Sequence, residues 1–315
     1  MAVMKKYYLI SDWSHVVETI IKISKLTKFY GKTLGVSDLD LEIKRGETFG
    51  FLGPNGAGKT TTIRMILDFI RPTSGNAMVF GQSTSSNSVA IKKRVGYLPG
   101  ELEFYKKMKG SEILHYFSNL RSGVDWDHVE SLAKRLDYDM NKPVRSLSSG
   151  NKHKLGLIQA FMHKPDLLIL DEPTSGLDPL MQQEFYKMVN DFRDEGGTAF
   201  ISSHILPEVE KICDRVGFIR KGKLIDVQNV NDLKVKMVRE IEITVEGVFD
   251  VNDLNSLDGV SGVKKENGLI KCKVSGSMDK LIKTAAKYNV KDMVCREPNL
   301  EDIFFTYYGS DENVS

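Results

Sequence analysis

The sequence predicts a mixed α/β fold: a mostly parallel sheet with an antiparallel β subdomain and a helical insertion, followed by a small C-terminal α+β domain. Three observations predict it. Short apolar runs recur at residues 95–98, 167–170, 198–201 and 216–219, some separated by stretches of helical spacing, as strands buried on both faces require. A glycine-rich stretch, Gly53-Pro54-Asn55-Gly56-Ala57-Gly58-Lys59-Thr60-Thr61, lies between an apolar strand and a helix. Beyond about Val230 the pattern changes to alternating strands around a turn signal.

Residues 1–18 show no clear period and are expected to be an extension. Ile21 and Ile23 begin a strand, and Leu39, Leu41 and Ile43 alternate at period two, so an antiparallel pair with one buried face is predicted. Lys44-Arg45-Gly46-Glu47 then turns the chain into the strand Thr48-Phe49-Gly50-Phe51-Leu52. Ile63, Ile66, Leu67 and Ile70 recur at helical spacing beyond the glycine stretch. A short strand is predicted near Met78-Val79-Phe80, and the serine-rich stretch 82–88 reads as a loop. Residues 103–146 break the strand rhythm with Ile113, Tyr116, Phe117 and Leu120, then Val129, Leu132 and Leu136, and are expected to form the helical insertion. The main domain is therefore placed at 19–228 and the smaller one at 229–315. In the latter, Ile241, Ile243 and Val245 alternate, an Asn267-Gly268 turn joins a hairpin, 278–288 is a helix candidate with Leu281, Ile282 and Ala285 on its apolar face, and 291–295 is a last strand. That order suggests a ferredoxin-like unit.

Composition narrows the partners. The net charge of +2 comes from 44 basic and 42 acidic residues, and residues 229–315 carry more acidic than basic side chains, so no drive toward nucleic acid is expected. Cys213, Cys272 and Cys295 are far apart with no C-x-x-C spacing, which argues against a disulfide framework or a zinc site and for a reducing compartment. No segment approaches the roughly 18 apolar residues that a membrane-crossing helix needs, and the run at residues 7–10 is too short for a secretory signal. If a membrane is involved, another chain must supply it.

The chemistry concentrates in two places. Gly53–Thr61 fits G-x-x-x-x-G-K-[ST]: the glycines let backbone N–H groups close around a phosphate chain, the helix N-terminus faces the same anions, Lys59 would reach the terminal phosphates and Thr60 would offer its hydroxyl to Mg²⁺. Leu167-Leu168-Ile169-Leu170 then delivers Asp171-Glu172 to the same sheet edge. There Asp171 would hold Mg²⁺ and Glu172 would orient or deprotonate an attacking water. Alone, each has an ordinary alternative, a glycine-rich turn and an acidic strand exit; together they predict a nucleotide site.

Between them lies Leu147-Ser148-Ser149-Gly150-Asn151, ahead of a helix carrying Leu155, Ile158 and Met162. With it, the phosphate loop, Asp171-Glu172, Ser175-Gly176-Leu177-Asp178 and His204 occur in the order of the ATP-binding subunits of ABC transporters, which the chain resembles across residues 20–228. The resemblance implies an ATPase using ATP and Mg²⁺. It implies that Tyr30 stacks on adenine, that Ser148 and Gly150 contact the γ-phosphate bound by a second subunit, that Asp178 organises the contact between subunits and that His204 senses the γ-phosphate. One copy of each motif implies a dimer, a homodimer in the simpler case, working with an integral membrane permease at the cytoplasmic face of the cell membrane. Two departures stand out. Ser149 and Asn151 replace the glycine and glutamine of the Leu-Ser-Gly-Gly-Gln signature. Gly100-Glu101 follows Tyr97-Leu98-Pro99 where the family has a glutamine meeting Mg²⁺ and facing the membrane partner, so Glu101 is a substitute metal candidate. Glu297–Phe305 resembles the tail of export-type ATPases serving ABC-2-type permeases for drugs, antibiotics or sodium, which makes export of a drug, antibiotic, peptide, lipid or ion the expected task. A ribosome- or DNA-directed ATPase of the same superfamily and a phosphate-loop kinase or GTPase are the competing expectations.

Overall fold

The protein is described by a computed structural model covering residues 18–296 except 122, 237 and 267. The extension at 1–17, the tail motif Glu297–Phe305 and Asn267 of the predicted turn lie outside the described residues.

The chain opens with the long strands β1 (Thr19–Tyr30) and β2 (Thr33–Lys44), which pair antiparallel with Ile21 opposite Ile43 and Ile23 opposite Leu41. Alternation buries one face of this pair and leaves lysines and carboxylates on the other. The Lys44–Glu47 turn leads into β3 (Thr48–Leu52), every residue of which is buried. The phosphate loop and helix α1 (Lys59–Ile66) follow. The helix stops before the predicted Ile70: Leu67 caps it and Asp68 takes a left-handed φ of 54°. Next come β4 (Ser74–Val79), β5 (Gln82–Ser83) and α2 (Thr84–Lys93). The serine-rich stretch read as a loop is thus a short strand and the start of a surface helix. Ser83 sits at the N-cap, Asn87 kinks the helix, and Thr84 and Ile91 are its buried residues, too few to leave an apolar period.

Strand β6 (Val95–Leu98) leads to α3 (Gly110–Asn119) and α4 (Trp126–Arg135), then to α5 (Ser149–Phe161) and β7 (Leu167–Asp171). The chain continues through α6 (Pro179–Asp194), β8 (Thr198–Ser203), α7 (Leu206–Ile212), β9 (Arg215–Arg220), β10 (Lys223–Asn229) and α8 (Val230–Lys236). The central sheet runs β10-β9-β3-β8-β7-β6, parallel except for β10, while β2-β1-β4-β5 form the separate antiparallel sheet. One core packs Phe49, Phe51 and Phe200 between the two sheets, with Phe49 and Phe200 stacked at 6.1 Å. The other packs α3 to α7 against the opposite face. Helix α8 adds Val230 and Leu233 to that second core, so a core of its own begins only with the next strand, later than the predicted change at 229.

That last part runs β11 (Val238–Glu246), α9 (Asn252–Asn255), β12 (Val260–Glu266), β13 (Leu269–Ser275), α10 (Asp279–Ala285) and β14 (Asn289–Arg296). Its antiparallel sheet has the order β12-β13-β11-β14, the ferredoxin-like arrangement. Ile241, Ile243, Ile270, Cys272 and Val274 face Leu281 and Ala285. Ile282, expected on that apolar face, is half exposed, because the buried pair is four residues apart and Ile282 is turned about 100° from Leu281.

His163, just after α5, is pushed down to about 4, first by burial and then by the nearby Arg121. The unfolded chain therefore takes up a proton near pH 6.5 that the folded chain refuses until about pH 4, so this contribution to stability is complete above pH 6.5 and is lost as pH falls through that window. Urea unfolding at pH 5 should show a loss on the order of 1–2 kcal/mol relative to pH 7.5 that is smaller in His163→Asn.

Candidate functional site

Strand β3 is buried and apolar to its last residue, so the chain leaves the sheet abruptly at Gly53 and must turn within a few residues into α1. Glycine makes that turn possible. Gly56 and Gly58 have φ of 78° and 110°, a region other residues rarely adopt. A β-carbon on Gly58 would lie 2.8 Å from the Gly35 carbonyl oxygen, and one on Gly53 would lie 2.3 Å from that of Ile219. The loop closes around a concavity of about 210 Å³ lined by Gly35, Asn55, Gly56, Ala57, Gly58, Lys59, Thr60, Thr61 and Glu172. Helix α1 opens on it with no side-chain cap and no acidic residue in its first turn, leaving its N–H groups and dipole available to an anion. The buried Lys59 Nζ donates to the carbonyl oxygens of Gly53 at 2.6 Å and Pro54 at 3.2 Å, and stands 3.1 Å from Glu172 Oε1.

Asp171 ends β7 and is 1% exposed. Its carboxylate accepts from Thr60 Oγ1 at 2.7 Å and from Ser202 Oγ, so the ends of α1, β7 and β8 meet on one side chain. Thr60 hydroxyl and Asp171 carboxylate are hard oxygen donors side by side, a pair that fits Mg²⁺ completing its shell with phosphate and water. The described residues contain no cluster of three or more His, Cys, Asp or Glu able to hold a metal. Glu172 follows at a left-handed φ of 51°, with its N–H donating to the Ser202 carbonyl at 3.2 Å. This uncommon backbone swings the carboxylate out of the sheet line. Its Oε2 meets His204 Nδ1 at 2.8 Å, while Oε1, beside Lys59, is buried outside hydrogen-bonding geometry. A buried Glu208 braces the region from behind, accepting from Thr174 Oγ1 at 2.5 Å and Ser203 Oγ at 2.8 Å. A carboxylate aimed at the phosphate cavity and partnered by an imidazole can take a proton from water there.

Tyr30, at the exposed end of β1, lies against Gly35: a β-carbon there would be 3.0 Å from the Tyr30 ring. It thus borders the cavity that Gly35 lines, with Lys28 Nζ 5.3 Å from its ring centre. Ser148 caps α5, its Oγ accepting from the Asn151 N–H and side-chain amide, each at 3.2 Å. Gly150 is held so close to the Gly176 carbonyl oxygen that a β-carbon would come within 2.8 Å. Asp178 caps α6, accepting from the N–H groups of Leu180 and Met181 at 3.0 Å. Neither Ser148, Gly150 nor Asp178 lines the phosphate cavity of its own chain. Glu101 does not line it either. Gly100 lies beside Asp171, a β-carbon there being 3.5 Å from Oδ2, whereas Glu101 is exposed in a neighbouring groove of about 590 Å³. Ser202 and Gly35 were not singled out from the sequence. A serine following the run 198–201 is the signal for Ser202; the role of Gly35 depends on its contact with Gly58, distant in sequence, and leaves none.

The family model described as "ABC transporter" matches residues 36–175. The chain is 35% identical over 307 residues to a bacitracin transport ATP-binding protein of Bacillus licheniformis, covering 93% of this chain and 98% of that one. It is 30% identical to a linearmycin resistance ATP-binding protein of Bacillus subtilis, covering 92% and 98%. Among solved structures, an ATP-binding subunit of an ABC transporter superposes with a TM-score of 0.63 at 26% identity, covering 69% of this chain and 92% of that one. A dimeric bacterial ABC transporter cassette, 18% identical with the same TM-score, shares the fold.

The positive φ of Gly58 and its contact with Gly35 make Gly58→Ala a test of the cradle. ATP affinity, measured by isothermal titration, should fall at least tenfold, or about 1.4 kcal/mol, while the far-ultraviolet circular dichroism spectrum is retained.

Proposed function

Because the chain belongs to the ATP-binding subunits of ABC transporters, and is by that membership an ATP-binding ATPase, we propose that two copies close around two Mg-ATP and drive a separately encoded ABC-2-type permease in export. The observation that supports the dimer is that the phosphate cavity is lined by residues of the Gly53 loop, Gly35 and Glu172, while neither Ser148 nor Gly150 lines it. A γ-phosphate therefore needs a second copy to meet both. Leu180 at 78% exposure beside Asp178, and Ile205 at 39% beside His204, are apolar side chains that such a contact would cover.

In this reading Lys59 turns from the Gly53 carbonyl toward the β- and γ-phosphates, and the N–H groups of the loop and α1 bind the phosphate chain. Thr60 and Asp171 would hold Mg²⁺, which supplies charge neutralisation of the phosphates. Glu172 orients the attacking water and accepts its proton, with His204 holding the carboxylate in line and reporting on the γ-phosphate. From the partner subunit the Ser148 hydroxyl and the Gly150 N–H complete the shell, and α5 adds its dipole. Tyr30 stacks on the adenine. Asn151 braces the Ser148 cap, so this departure from the signature leaves the Ser148 hydroxyl held in place.

Export of an antibiotic-like compound rests on the names of the relatives, one in bacitracin transport and one in linearmycin resistance. Residues 103–146 and the adjoining groove that holds Glu101 form the permease contact, which places the chain at the cytoplasmic face of the membrane. No helix among the described residues is long and apolar enough to cross a membrane.

Replacing Glu172 with Gln keeps the fold and removes the base. Turnover should drop on the order of 10²–10⁴-fold, and with Mg-ATP the variant should elute at twice the monomer mass in light scattering; a species that stays monomeric at every protein concentration would sink the two-copy site. Specific activity of the unaltered protein should rise with its concentration, whereas strict proportionality of rate to concentration would point to a complete site in each chain. Glu101→Ala should leave basal turnover within twofold and lower permease-stimulated turnover.

A further inference from the structure

Helix α5 starts with the groups proposed to meet the partner's γ-phosphate, and one turn later it carries a buried imidazole that lies outside the phosphate cavity. His153 is 5% exposed. Its ring is set against the carbonyl oxygen of Pro173, which acts on it as a hydrogen-bond acceptor, while its Nε2 is buried with no hydrogen-bond partner. Burial holds the imidazole below its usual pKa, so it is neutral near pH 7 and has a single N–H to give. Pro173 directly follows Glu172. A proline has its φ fixed and no N–H, so its carbonyl is the one backbone group by which it can be held.

A second contact joins the same two elements. Residues three apart share a helix face, and Gly150, three before His153, is the residue that packs against the Gly176 carbonyl. One face of α5 therefore touches the loop between Glu172 and Asp178 twice. That loop is internally braced: the Ser175 N–H donates to the Glu172 carbonyl and the Leu177 N–H to that of Thr174, each at 3.1 Å. From α7, Glu208 holds Thr174, and the N–H of Glu172 is held by Ser202. The Pro173 carbonyl is the point between these two anchors, and α5 is what meets it.

A buried acceptor left unpaired costs stability that an apolar side chain of similar size would not lose, so His153 is a poor choice for packing alone. We infer that His153 is a positioning residue for hydrolysis: from α5 it holds the Pro173 carbonyl and, through it, the left-handed turn that aims the Glu172 carboxylate of its own chain. Ser148 and Gly150 on the same helix are proposed to act on the partner's nucleotide, so α5 serves two sites, one across the dimer and one within the chain. This rests on Glu172 being the base and on the site being shared by two copies, and the experiment separates those readings from the role of His153.

His153→Leu removes the N–H and the unpaired acceptor at similar volume, whereas His153→Gln keeps an N–H. Steady-state ATPase, the KM for ATP and thermal melting are compared for the full chain and both variants. His153→Leu should lower kcat roughly ten- to a hundredfold, with KM within twofold and melting unchanged or raised, and His153→Gln should recover most of the rate. An unchanged kcat in His153→Leu, or a loss that follows a fall in melting temperature and that His153→Gln does not relieve, would overturn the positioning role. Mixed pairs then locate the effect. Two differently tagged chains are co-expressed and purified over both tags with Mg-ATP, one of them carrying Glu172→Gln so that a single base works. His153→Leu in the chain with the intact Glu172 should lower the rate as in the uniform variant; in the Glu172→Gln chain it should leave the rate within twofold. Loss arising from the Glu172→Gln chain instead would overturn the assignment, because His153 would then act through Ser148 and Gly150 on the partner's phosphate. Failure to recover any mixed pair would overturn the two-copy reading, and normal turnover by uniform Glu172→Gln the reading of the base; the uniform His153 variants still decide the role of His153. Should His153→Leu fold poorly, His153→Met, apolar and unbranched, takes its place.

Discussion

Asp171 is the side chain on which the site depends. A carboxylate at 1% exposure is tolerated only when its oxygens are satisfied, and here Thr60 from α1 and Ser202 from β8 donate to it while it terminates β7. Three elements distant in sequence are therefore tied at one point. Because β7 and β8 are parallel neighbours and β3 pairs with β8, their C-terminal ends lie on one edge of the sheet. The phosphate loop opens on that edge, and Glu172 leaves it in a left-handed turn. Fixing Asp171 thus fixes the separation between the Glu172 carboxylate and the phosphate loop. The Glu208 network with Thr174 and Ser203 then keeps the following loop from relaxing that turn.

Around this point the chain uses small residues where backbones approach and carboxylates where helices start. Gly53, Gly58, Gly150 and Gly176 are places where one backbone passes close to another, two at the cradle and two joining the start of α5 to the loop before Asp178. Ser148 and Asp178 double as helix caps, so the groups proposed to reach across a dimer are held rigid by local hydrogen bonds before any partner arrives.

Much of this was legible in the residues because the signals are local. The phosphate loop is contiguous, the buried strands are apolar to their ends, and Asp171-Glu172 immediately follows such a strand; each can be read in a window of ten residues. What depended on packing was not legible. The α2 helix carries few apolar residues because one edge of it touches the core, so its serines looked like a loop. The α1 helix stops at a left-handed Asp68 although the apolar period continues to Ile70, which packs in the core from outside the helix. The contact of Gly35 with Gly58 joins two elements, and the placement of Glu101 outside the phosphate cavity follows from the path of the chain after Pro99, which no spacing reveals. The ferredoxin-like order of the last part was readable, since alternation and a hairpin turn determine it, but its start was not: α8 looks like the beginning of a new unit and packs on the old one.

The outer face of that last sheet is laced with ion pairs: Glu240 with Lys273, Glu242 with Lys271 and Arg296, and Glu246 with Lys291. Four basic and three acidic side chains nearly cancel one another. Each exposed pair adds little to stability, yet together they leave the face without the basic surplus that anionic lipid headgroups would attract. These paired side chains of the described sheet therefore add little electrostatic pull toward an anionic surface.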